Sequence, residues 1–130
     1  MARIEVPVSA GELVDKLTIL EIKSERIADA GKLVNVRREL AGLSAIVDPM
    51  LKANAGLAPL KASLRRINET LWEIENNIRD CERNKDFGPQ FVELARNVYR
   101  TNDQRAAAKR KIDKLLGSEI TEEKSYQAYD

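Results

Sequence analysis

Leu57, Leu60, Leu64, Ile67, Leu71, Ile74, Ile78 and Cys81 are separated by alternating steps of three and four residues. This is the a/d seam of a coiled coil, a helix that packs along its length on a neighbour. Cys81 falls on the seam and reads as a small buried apolar group. A second helical stretch opens at Pro89, suited to a first helical turn, and stops at Gly117. Its seam runs Phe91, Ala95, Val98, Asn102, Arg105, Lys109, Ile112, Leu116, with three polar residues in the middle. Asn84 to Gly88 is too short for anything but a tight connector, so the two helices are predicted to form an antiparallel hairpin.

Upstream, Ser9-Ala10-Gly11-Glu12 fits a capping box. It starts a helix expected over about residues 10–28, with Asp29-Ala30-Gly31 as its stop. A further helix is expected over roughly 32–47, with Leu33, Val36, Leu40, Leu43 and Val47 on one stripe. Asp48-Pro49 should break it, leaving residues 49–59 as loop. Arg3 to Val8 alternates polar and β-branched residues around Pro7, which allows an extended arm or an edge strand at most. The expected fold class is all-α: antiparallel helical hairpins in a four-helix bundle-like single domain over 1–130. The arm occupies 1–8, the helices 9–117 and a polar tail 118–130. The first helix also carries Ile19 and Ile22 almost opposite Leu13, Leu17, Leu20 and Ile27. A helix apolar on both faces is central or covered by another subunit. A homodimer is therefore expected, with the arm available for exchange between copies.

Composition narrows the chemistry. The 130 residues include no His and a single Cys. His-dependent triads, His metal sites, internal disulfides and Cys zinc clusters are thereby excluded. No signal peptide is visible and no apolar run approaches the ~18 residues of a membrane span. The expected compartment is the cytoplasm, without membrane partners. The net charge of +1 conceals an uneven distribution. Residues 85–117 carry 8 Lys/Arg against 4 Asp/Glu, and residues 118–130 carry 1 Lys against 4 Asp/Glu. The basic run Arg105, Lys109, Arg110, Lys111, Lys114 has little aromatic interleaving, and near-neutrality argues against nucleic acid as a partner.

Three polar constellations exceed what a plain bundle needs. Glu21, Glu25 and Asp29 repeat every four residues below Thr18, a mutually repulsive ladder. A cation from another helix or a divalent metal such as Mg²⁺ should compensate, the plainer alternative being a solvated face partly neutralised by nearby Lys or Arg. Asn102, Arg105 and Lys109 interrupt the seam of the last helix, with Asn68 expected near Arg105, and Glu75 close to the seam of the preceding helix. They form either a buried network that fixes register or an anion pocket in which Arg105 grips a carboxylate or phosphate. The free N–H groups at Ser9-Ala10-Gly11 are a simple cap or an anion seat.

The runs Val6-Pro7-Val8-Ser9-Ala10-Gly11-Glu12-Leu13, Asp15-Lys16-Leu17-Thr18-Ile19-Leu20-Glu21, Leu71-Trp72-Glu73-Ile74-Glu75 and Asn102-Asp103-Gln104-Arg105 resemble an uncharacterised bacterial family of small all-helical proteins, a domain of unknown function. The likeness covers nearly the whole chain, departs at Asn76 where the family pattern suggests an acid, and implies a single helical domain but no activity. The sequence thus leads to a cytoplasmic interaction or scaffold protein, a homodimer with no catalysis and no cofactor. The alternative is a small enzyme or anion-binding domain. It would hold a phosphate or dicarboxylate with Asn102, Arg105, Lys109, Arg37 and Glu75, and Mg²⁺ with Glu21, Glu25 and Asp29. Arg37 enters because Arg and Lys grip a dicarboxylate in small helical chorismate mutases, a match of residue type only.

Overall fold

The computed structural model describes residues 2–130; Met1, the first residue of the predicted arm, lies outside them. The chain forms α1 (Ala10–Arg26), α2 (Ala30–Ala53), α3 (Leu57–Arg83) and α4 (Pro89–Leu116). Among the described residues there is no strand. Residues 2–8, ahead of α1, are exposed and in neither helix nor strand. Ser9 supplies its half of the predicted capping box, its hydroxyl accepting from the Glu12 N–H at 3.1 Å, while the Glu12 carboxylate turns to Lys109 instead.

The predicted stop at Asp29-Ala30-Gly31 is corrected: α1 already ends at Arg26, and Asp29 starts the next helix. Its carboxylate accepts from the Lys32 N–H at 2.8 Å, an N-cap that takes Ala30 and Gly31 into the first turn of α2. The predicted break at Pro49 is corrected too, since α2 continues to Ala53 and only residues 54–56 separate it from α3. Val47 is fully buried, and Met50 and Leu51 pack against the core. Burial of a side chain of this size contributes about 1.5–3 kcal/mol, enough together to outweigh the ~3 kcal/mol penalty of an interior proline. Pro49 and Ala45 are both exposed, so the carbonyl deprived of its helical partner faces solvent.

α3 and α4 form the predicted antiparallel hairpin, turning through Lys85 in a left-handed conformation (φ 55°). The α3 seam is buried at Leu57, Leu64, Ile74 and Cys81 and half-buried at Leu60, Ile67, Leu71 and Ile78. α4 is rotated from its predicted seam. Its buried residues are Thr101, Ala106, Ala108, Lys109 and Ile112, while Asn102 is exposed. Ala108 and Ile112 join the core there with Val14 and Leu17 of α1.

α1 packs on all three other helices. Val14, Leu17, Val47, Leu57, Leu64, Ala108 and Ile112 form one core cluster around it. Its double-sided apolar pattern follows from this central position. Ile22 is 1% exposed within a single chain, so no second subunit is needed to cover it. No helix among the described residues is long and apolar enough to cross a membrane.

Candidate functional site

The polar residues of α4 meet a carboxylate that the seam pattern does not reveal. Asp15 projects from α1 beside Val14 and is 1% exposed. Arg105 reaches it across the helix interface with two parallel bonds: Nε donates to Oδ1 at 2.9 Å and the terminal nitrogen to Oδ2 at 2.5 Å. Asn68 of α3 donates to the same Oδ1 at 2.9 Å and to the Thr18 hydroxyl at 2.9 Å. The Thr18 hydroxyl donates in turn to the Asp15 carbonyl at 2.8 Å. One carboxylate thus ties α1 to α3 and α4, and the buried charge has an opposite charge and hydrogen-bond donors around it. The bonds to Asp15 raise the pKa of Arg105 against the opposing effect of burial, so the guanidinium is permanently charged.

One turn along α4, Lys109 lies between Glu12 of α1 at 2.9 Å and Glu122 of the tail at 3.0 Å. Burial alone lowers the Lys109 pKa, but the bonds to both carboxylates more than offset it and the net shift is upward. Glu122 also pairs with Lys124 at 3.0 Å. The two ammonium groups, Lys109 first, lower its pKa from an ordinary 4.5 to about 2. At the end of this layer the free N–H groups of α1 hold an anion supplied by the chain itself. The Gly11 N–H donates to Asp113 at 2.6 Å and the Ala10 N–H to the Ser118 hydroxyl at 3.3 Å.

The tail is not a loose extension. Gly117 adopts a left-handed conformation (φ 62°, ψ 42°) that ends α4. The following residues return along α4. The Tyr129 hydroxyl donates to Asp103, and the Tyr129 ring lies 5.1 Å from that of Tyr99, centroid to centroid.

The acidic ladder on α1 meets cations from α3. Glu21 pairs with Lys61 at 3.1 Å and with Arg65 at 3.6 Å. Arg65 also bonds Glu25 and, at 3.2 Å, Glu69. Its bond to Glu25 lowers the Glu25 pKa and raises its own. Asp29 stands apart as the α2 cap. The three predicted metal ligands are therefore not brought to a common point. Among the described residues no group of His, Cys, Asp or Glu is arranged to hold a metal ion.

Of the predicted anion-binding set, Asn102, Arg105 and Glu75 share a shallow cleft of about 390 Å³ with Trp72. Glu75 is exposed there and pairs with Arg79 at 3.5 Å. Arg37 is exposed on α2, which packs on α1 and α3 rather than on α4, and does not join the others. Asn102, Arg105 and Lys109 also line a larger cleft of about 940 Å³ under the tail. Asp15, Glu12 and Glu122, the carboxylates that bind the two cations, are absent from the set expected from sequence. The one available signal for Asp15 is its place between Val14 and Leu17, one turn ahead of Thr18, where a buried face is due.

These features define an all-α domain whose helices and tail are joined by a continuous polar layer. The chain belongs to a family of unknown function (DUF6165), whose family model matches residues 4–129. No curated protein and no solved structure matches it.

Proposed function

We propose that the chain is a non-catalytic helical interaction module that acts as a homodimer. The observation that carries this reading is the Arg105–Asp15 pair. The fork best suited to grip a substrate anion is closed on a carboxylate of its own chain that is 1% exposed. Lys109 is likewise held between Glu12 and Glu122. A catalytic acid or base needs a proton to exchange with substrate; here the buried charges are spent on joining helices.

The arm supports association. Ile4, Val6 and Val8 alternate along it and are 83%, 67% and 48% exposed. Alternate apolar side chains share one face of an extended segment, and such a segment gains most by pairing with another strand. A second copy of the same arm is the matching partner, since an isologous contact is the commonest dimer geometry. Light scattering over a range of concentrations tests this. The expected mass is twice 14.6 kDa, reverting to one chain when Ile4 and Val6 are both replaced by Asp. A concentration-independent mass of 14.6 kDa for the unaltered chain overturns the dimer.

A further inference from the structure

A cleft of about 940 Å³ lies between α4 and the tail, large enough for a small molecule. All three tyrosines of the chain line it: Tyr99 from α4, Tyr126 and Tyr129 from the tail. So do four cations, Arg105, Lys109, Arg110 and Lys124, against two carboxylates, Asp103 and Asp130. Arg105 is closed on Asp15. Arg110 is exposed and makes no ion pair among the described residues. Lys109 and Lys124 converge on one carboxylate, Glu122, each at 3.0 Å. That carboxylate, 42% exposed, does not itself line the cleft, but both ammonium groups that hold it do.

Two lysines that share one anion, with a free guanidinium on the same wall, suit a group of higher charge than a carboxylate. A phosphate offers more acceptor oxygens and more negative charge to the same donors. Tyrosine faces clustered beside such a seat suit a ring, because aromatic faces hold rings without demanding a particular hydrogen-bond pattern. We propose that this cleft binds a phosphate-bearing ring compound, its phosphate displacing Glu122 from Lys109 and Lys124 and its ring lying against the tyrosines. Glu122 then acts as a built-in competitor, and the tail is a strap anchored by Glu122 at one end and by Tyr129 on Asp103 and Tyr99 at the other. The inference rests on the reading of the chain as a binding module and supplies the class of ligand.

Titration calorimetry on the full chain tests it with three probes: a nucleoside diphosphate, a hexose phosphate and inorganic phosphate. The expected result is that one ring-bearing probe binds about tenfold or more tighter than inorganic phosphate, the gain a single stacked ring supplies. Which of the two does so identifies the ring as a base or a sugar. Glu122→Gln tightens that binding several-fold, by about the advantage of removing an internal competitor. Tyr99→Ala removes the advantage of the ring. Arg110→Ala weakens binding and, as an exposed residue with no ion pair, leaves the thermal melt unchanged, so it reads the site even if a Lys109 variant fails to fold. Ring-bearing probes that bind no better than inorganic phosphate overturn the proposal, as does an affinity that Glu122→Gln leaves unchanged. Loss of the proposal with an intact dimer leaves the interaction-module reading standing. Chemical turnover of a bound probe overturns the non-catalytic reading and keeps the cleft.

Discussion

Gly11 lies so close to Lys109 that a Cβ on it would stand 2.3 Å from the Lys109 carbonyl oxygen and 2.8 Å from a carboxylate oxygen of Asp113. The obstacle is backbone, which cannot rotate away as a side chain can. α1 and α4 therefore touch at a point where only glycine fits, and the same contact lets the Gly11 N–H reach Asp113. Gly11→Ala gains about 1 kcal/mol of helix propensity, but must separate two packed helices. Overpacking of this kind costs about 1–3 kcal/mol. The expected outcome is a net loss of stability in urea denaturation followed by circular dichroism. A variant as stable as the parent shows that α1 can move off α4 freely.

The Asp15–Arg105 pair should behave as a unit. Arg105→Met leaves a buried carboxylate with Asn68 as its one remaining side-chain donor. Removing one partner of a buried pair costs about 3–5 kcal/mol, and the lower end applies because the Arg105 side chain is 29% exposed. Combining Arg105→Met with Asp15→Leu should cost less than the sum of the two single changes, with a coupling of about 1 kcal/mol or more. Additive single changes in the same cycle show that the contact stabilises nothing beyond its packing.

The tail should respond to acid before the bundle does. Glu122 has its pKa lowered from 4.5 to about 2 by Lys109 and Lys124. A carboxylate whose pKa is lower in the folded state stabilises that state fully above its ordinary value. The contribution fades as pH falls from about 4.5 towards 2. Protection of residues 118–130 against hydrogen exchange, taken relative to the intrinsic amide rate at each pH, should fall across that range while α3 stays protected. Glu122→Gln should lower that protection already at neutral pH near residue 122, while the far end stays held by Tyr129 on Asp103 and Tyr99. Unchanged tail protection down to pH 2 means that Glu122 does not anchor it.

The α3–α4 hairpin was legible because its apolar residues recur at helical spacing and Pro89 and Gly117 mark the ends of α4. The central place of α1 was half legible: Ile19 and Ile22 signalled a second buried face, and the cover proves to be α3 and α4 of the same chain. The length of α2 was not legible, because Pro49 is a local signal and the burial of Val47, Met50 and Leu51 that overrides it is tertiary. The two cations in the interruption of the α4 seam, Arg105 and Lys109, both meet carboxylates. Their partners Asp15, Glu12 and Glu122 lie far away in sequence, and no periodicity connects residues that meet through topology. Asn102 belonged to the same interruption but is exposed, because the buried face of α4 is centred on Thr101, Ala108 and Ile112.

The return of the chain at Gly117 has a practical consequence for anyone handling this protein. Tyr129 lies tilted against Tyr99, so a purification tag or fluorescent fusion joined after Asp130 begins at the rim of the tyrosine-lined cleft. It would crowd the surface that a binding assay needs to read. An extension ahead of the exposed arm is not joined to a lining residue of that cleft but burdens the segment through which copies are proposed to associate. Ligand titrations are therefore best made with an N-terminal tag, and mass measurements with a C-terminal one.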